Sequence, residues 1–104
     1  LVFGTVSGRS GLRGLLLLVD IRRKPGDQER ALLDSATRRG LRVQVVATKA
    51  DQLPRHKRKP AVEAIERWSG LGRHATSVVS VKSGDGVDAL RELILSWAEA
   101  EEEA

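Results

Sequence analysis

The sequence predicts an α/β fold in which a parallel sheet forms the middle of three layers and helices cover both of its faces. Three observations predict it. A continuous apolar run stands at Leu15–Val19 and a nearly all-apolar one at Val43–Thr48, as in strands buried on both faces, and a third strand takes roughly Thr76–Val81. Each run is followed by a stretch with apolar residues at helical spacing. Turn residues punctuate the chain between them, and strand–helix alternation of this kind gives parallel strands joined by right-handed crossovers.

The first strand stops at Asp20. Pro25, Gly26 and Asp27 break the chain, and Asp27 is placed to cap a helix carrying Ala31, Leu32 and Ala36 and ending at Gly40. The second strand runs into a loop with Lys49, Ala50 and Asp51, closed by Pro54. A second helix is expected from about Lys59 or Pro60 to Trp68, with Pro60 in its first turn and Ala61, Val62, Ile65 and Trp68 on one face. Gly70 and Gly72 end it. After the third strand, Gly84, Asp85 and Gly86 lead into a last helix whose stripe is Val87, Leu90, Leu93, Ile94 and Trp97. Both Trp therefore read as core. Residues 99–104 form a short acidic tail.

The chain has 104 residues, 18 Lys+Arg against 14 Asp+Glu, and no Cys. That length allows one domain with a core of its own, and 40% hydrophobic with 31% charged residues is a globular composition. Without Cys there is no disulfide framework, thiolate nucleophile or thiolate-bound zinc, and only His56 and His74 offer imidazole. The longest apolar run, Leu15–Val19, falls far short of the about 20 residues of a spanning helix, and no charged segment precedes an apolar one at the start. A cytoplasmic protein without a membrane partner is expected. The absence of Met suggests a piece of something longer. The net charge of +4 is concentrated at Arg22–Lys24, at Arg38, Arg39 and Arg42, and most densely at Arg55–Lys59. Such clusters attract polyphosphate, or are simply solvated helix ends, since cations suit helix C-termini.

In parallel sheets of this type ligands sit outside the carboxyl ends of the strands, which directs attention to the loops after Asp20, Thr48 and Val81. The loop after the second strand reads Thr48-Lys49-Ala50-Asp51, and the chain after the third reads Ser80-Val81-Lys82. Here the sequence resembles a GTP-binding domain, whose fourth motif is Asn or Thr, Lys, any residue, Asp, and whose fifth is often Ser, Ala, Lys. The chemistry explains the residue types. Guanine presents N1–H and N2–H2 donors side by side, and an ionised Asp51 accepts both in a charge-assisted pair that adenine cannot offer. The Lys49 stem would lie along one face of the base, and the Thr48 hydroxyl would brace neighbouring loop backbone. Backbone N–H groups of Ser80–Lys82 would meet the guanine O6, with the Lys82 stem on the other face. The resemblance thus implies a guanine site of Thr48, Lys49, Ala50 and Asp51 with Val79, Ser80, Val81 and Lys82. Taken alone, Thr-Lys-x-Asp is also compatible with a solvated loop in which the Asp bonds its own turn.

The runs Leu12–Arg22, Thr48–Leu53 and Gly86–Leu90 narrow the resemblance to the EngB family, bacterial GTPases implicated in ribosome biogenesis. It covers about residues 11–98, so that residues 1–104 read as a partial G domain, the carboxyl-terminal part of a P-loop GTPase domain. The resemblance implies GTP or GDP as ligand with Mg²⁺ in the parent protein, association with the large ribosomal subunit and its rRNA, a role in cell division and septation, and a monomer.

The parts needed for hydrolysis are not found. A phosphate loop, G-x-x-x-x-G-K-[ST], cradles phosphates on backbone N–H groups, and none of the glycines fits it. The nearest stretch, Gly4–Ser10, is one residue short between its glycines and has Arg for Lys. A switch motif Asp-x-x-Gly is missing, and residues 1–10 do not match the family well. No catalytic or metal-binding residue is assigned, and the chain alone is expected to bind GTP weakly without hydrolysing it. Gly84–Ala89 fits a dinucleotide fingerprint, G-x-G-x-x-[GA], but lacks the following strand with its acidic residue. The non-enzymatic alternative is a basic α/β module that binds rRNA or the ribosome without nucleotide, through Arg55, Lys57, Arg58 and Lys59. With only three aromatic residues, two of them on helix faces, such binding would be shape-driven and salt-sensitive rather than based on stacking.

Overall fold

The computed structural model describes residues 2–8 and 11–103, with side-chain surroundings described for 14–72 and 74–97. Four strands form one sheet in the order β1-β2-β3-β4: β1 Val2–Gly8, β2 Gly11–Asp20, β3 Arg42–Thr48 and β4 Thr76–Val78. Three helices accompany them, α1 Asp27–Arg38, α2 Arg55–Ser69 and α3 Val87–Glu103. Strands β2, β3 and β4 are parallel, as expected, and consistent with the carboxyl-terminal part of a P-loop GTPase domain. The sheet is not wholly parallel, because β1 pairs antiparallel with β2. Residues 9 and 10 of the Gly4–Ser10 stretch lie outside the described residues, and Gly4–Gly8 are strand rather than loop.

Alternation along the strands sorts the helices into layers. Leu17, Val19, Val45 and Ala47 face a core completed by Leu33 of α1 and Ile65 of α2, with Leu32, Val62 and Trp68 packed around it. The opposite face, bearing Gly14 and Gln44, is covered by α3, which packs on β1 and β2. There Trp97 lies directly over Gly14. A Cβ at position 14 would come within 2.6 Å of the indole, so only glycine lets the ring settle on the strand. Trp97 is buried, and Trp68 is half-buried with the Arg30 guanidinium 4.7 Å above its ring. Both Trp are core residues, as their spacing predicts.

Several boundaries differ from expectation for identifiable reasons. Asp27 is the first helical residue rather than the cap; Gly26 takes that place, and its N–H donates to the Glu29 carboxylate at 3.3 Å. Helix α2 begins at Arg55, so Pro60 stands inside it rather than in its first turn. The start is set instead by Pro54, whose carbonyl accepts from Lys57 N at 2.9 Å. A proline within a helix forfeits one intrahelical bond and costs about 3 kcal/mol or more, which is why the sequence suggests a later start. β4 is shorter than Thr76–Val81, yet Val79 N still donates to Ala47 O at 2.9 Å, continuing the alignment to the sheet's end. Residues 99–103, four of them Glu, belong to α3 rather than to a tail. Among the described residues no helix is long and apolar enough to cross a membrane.

Candidate functional site

Parallel β2 and β3 finish side by side, with Asp20 in register with Thr48. The Thr48 carbonyl accepts from Ile21 N at 3.0 Å, and the Thr48 hydroxyl donates to Val19 O at 3.3 Å. The Thr48 hydroxyl thus bonds the backbone of the neighbouring strand β2, where loop backbone is expected. Beyond these ends opens a cleft of about 760 Å³, bordered by Asp20, Thr48, Lys49, Asp51, Val81 and Lys82. The residues singled out after the second and third strands therefore meet in one place.

The loop is shaped by its backbone. Lys49 adopts a left-handed conformation, φ 61°, ψ 36°, uncommon for a side chain of this size. Its carbonyl accepts from Gln52 N at 3.0 Å, closing a 3-10 turn over Ala50–Gln52. Ala50 is buried beneath this turn and its N–H reaches Val79 O at 3.2 Å, tying the loop to the chain leaving β4. Ala50 and Val79 thus hold the two motif segments together from below the cleft, and neither lines it.

Across that joint Ser80, 1% exposed, donates its hydroxyl hydrogen to Asp51 Oδ1 at 2.7 Å and accepts from Ser83 N at 3.2 Å. The Asp51 carboxylate is thereby fixed at the cleft, while its Oδ2 has no protein partner among the described residues. The Ser80 N–H is already committed to Asp85 O at 2.9 Å. Among the described residues, the Val81 and Lys82 N–H groups have no such commitment. Val81 is 86% exposed. Donors for an incoming carbonyl oxygen therefore come from Val81 and Lys82. Gly86 sets the return of the chain into α3: with φ +76° and the Val78 carbonyl where a Cβ would stand, no other residue fits.

The loop after β2 supplies a border that motif reading passes over. Arg23 and Lys24 of that loop line the cleft, together with Glu29 from the first turn of α1. Asp20 accepts from Arg22 N at 2.9 Å, from Arg22 Nε at 3.1 Å and, at Oδ2, from Arg22 Nη2 at 2.8 Å. Its Oδ2 also faces Lys49 Nζ at 3.8 Å. The Arg22 hydrogen bonds outweigh burial and hold the Asp20 carboxyl well below the usual carboxylate range. Asp20 thus shapes the loop that follows β2. Its link to Lys49 has no signal in the sequence, because it depends on strand register.

The basic cluster stands apart. Arg55, Lys57 and Lys59 are exposed on the first turns of α2, whereas Arg58 is half-buried and donates Nε–H to Leu53 O at 3.2 Å. Cations at a helix N-terminus oppose the helix dipole. The explanation of this cluster as a favourable helix C-terminus does not hold. The described residues contain no group of three or more His, Asp or Glu suited to a metal ion.

No family model matches the chain. Curated bacterial proteins do. The chain is 41% identical over 86 residues, 83% of its length, to the probable GTP-binding protein EngB of Bdellovibrio bacteriovorus, covering 42% of that protein. It is 34% identical over 97 residues to the protein of the same name from Desulfatibacillum aliphaticivorans, covering 93% of this chain and 47% of the relative. The corresponding protein of Syntrophomonas wolfei is 38% identical over 86 residues, covering 83% of this chain and 44% of the relative. The chain thus spans less than half the length of these relatives. It belongs to the EngB family.

Proposed function

We propose, with membership of the EngB family as the premise, that this chain carries the guanine-recognising half of a GTP-binding site. The relatives' name as GTP-binding proteins supports this. The observation that carries it is the Asp51 carboxylate, held by a buried serine at 2.7 Å and lining the cleft with its second oxygen unengaged among the described residues. That arrangement suits the paired donors of guanine. The Lys49 and Lys82 stems flank the same opening, and the Val81 and Lys82 N–H groups suit the base carbonyl.

Base contacts of this kind contribute roughly 0.5 to 3 kcal/mol each, against about 4 to 15 kcal/mol of lost translational and rotational freedom. The chain alone therefore binds GTP or GDP weakly. Calorimetric titration tests this: weak binding with GDP preferred over ADP is expected, and submicromolar affinity or turnover above background would overturn it. The residues present do not fit Mg²⁺, since the sequence has no phosphate loop and the described residues hold no metal-suited cluster, and no hydrolytic step is assigned to them.

For the whole protein, the resemblance supports GTP hydrolysis with Mg²⁺ in the cytoplasm, as a monomer acting in assembly of the large ribosomal subunit and in normal division and septation. The second reading, a basic module that grips rRNA or the ribosome without nucleotide, is favoured by Arg55, Lys57 and Lys59 on an exposed helix start where they do not serve helix stability. Asp51→Asn in the full-length protein separates the two. Lost guanine preference with retained ribosome binding supports the GTPase reading, and an unchanged nucleotide profile supports the module.

A further inference from the structure

We propose that Asp20 is a positioning residue for Lys49, holding the lysine stem across the floor of the cleft before a nucleotide enters. The Lys49 side chain is 55% exposed, with little packing around it. A lysine in that state ordinarily samples many rotamers. Two features of the fold restrain it. The left-handed backbone at Lys49 turns the residue back at the end of β3, and the Asp20–Thr48 register brings the end of β2 beside it. There Nζ meets Asp20 Oδ2 at 3.8 Å.

Exposed ion pairs commonly achieve little because both partners lose side-chain freedom. Here only one does. Asp20 is 14% exposed and three hydrogen bonds from Arg22 have already fixed its orientation, so its charge stands ready and is screened less than a surface carboxylate. Arg22 does not border the cleft, whereas Asp20 and Lys49 both do. The arrangement is a relay from Arg22 through Asp20 to Lys49, in which the last link alone is free to adjust to a ligand. The positioning claim stands on this geometry, and its consequence for affinity rests on the base-recognition reading.

Carbon-13 relaxation of the Lys49 Cε methylene in the intact chain tests the positioning without nucleotide. Lys49 is expected to be more ordered than Lys57 and Lys59, and to fall to their level in Asp20→Asn or in about 1 M salt, where the screening length shrinks to about 3 Å. Equal mobility of all three lysines in the unaltered chain would overturn the proposal, as would a Lys49 signal indifferent to both changes. The salt titration decides the matter even where the variant folds poorly. GDP titrations then test the consequence in a double-mutant cycle. Asp20→Asn is expected to weaken GDP binding about two- to fivefold, to leave the preference over ADP intact, and to have no effect once Lys49 is Met. An equal loss in the Lys49→Met background overturns the coupling. Indifference of the unaltered chain to GDP against ADP overturns base recognition instead, while the relaxation result still decides the role of Asp20.

Discussion

At Asp51, a serine that is 1% exposed donates to a carboxylate at 2.7 Å, and that serine is itself fixed by the turn leading into α3. A few residues further on, at the start of α2, Arg55, Lys57 and Lys59 project outward, with no side-chain partner among the described residues. The first region is built from burial and directed hydrogen bonds, and such a place discriminates between ligands by their donor patterns. The second is built from charge alone. A surface of that kind attracts polyanions without regard to their sequence, and the strength of such attraction depends on the salt concentration as much as on the protein. One surface thus offers selectivity without much strength, and the other strength without selectivity.

The sharpest way to break the contrast is Asp51→Asn, which replaces one carboxylate acceptor with an amide donor at the proposed base site. The expected loss of GDP-over-ADP preference is about 10- to 100-fold, from charged hydrogen bonds of about 1.5 to 3 kcal/mol, measured by competition titration. Ser80→Ala comes next. It leaves Asp51 Oδ1 and Ser83 N–H without their partner, and is expected to cost about 1 to 3 kcal/mol of stability in urea unfolding. GDP affinity should fall by about tenfold, with part of the base preference surviving.

The other side is probed by changing Arg55, Lys57 and Lys59 together to Gln. The slope of log affinity for single-stranded RNA against log salt should flatten by about 2, at roughly 0.7 per lost contact, with GDP binding unchanged. Arg58 is best left in place, because its bond to Leu53 O supports the loop. Arg22→Ala has the smallest effect. Asp20 titrates lower in the folded chain than in the unfolded one, so its contribution is complete above the ordinary carboxylate value of about 4 and is lost as pH falls below it. The stability gap between the unaltered chain and Arg22→Ala should be constant from about pH 5 upward and shrink steadily below pH 4 in urea melts.

Much of this was legible in the sequence, and the particulars show why. Strand identity for Leu15–Val19 and Val43–Thr48 follows from apolar runs too continuous for a half-exposed element, and the helix faces follow from spacing. That the loops of Asp51 and Ser80 border one crevice follows from two motifs placed after adjacent strands, whereas the hydrogen bond between the two side chains has no signal of its own. What escaped depended on competition between local signals or on register. Pro60 marks a helix start less strongly than Pro54 does once the Lys57 bond to Pro54 forms. Gly26 displaces Asp27 as cap because Glu29 reaches back to it. The antiparallel β1 breaks the strand–helix alternation and carries no apolar run like those of β2 and β3. The tie between Asp20 and Lys49 exists only because two strands end level.

The placement of the two indoles has a practical consequence. Trp97 rests on Gly14 beneath α3, and Trp68 lies under Arg30 on the other side of the sheet, so each layer carries its own fluorophore in a different setting. With no Tyr in the chain to blur the emission, single Trp→Phe versions would report the undocking of each layer as a separate optical signal.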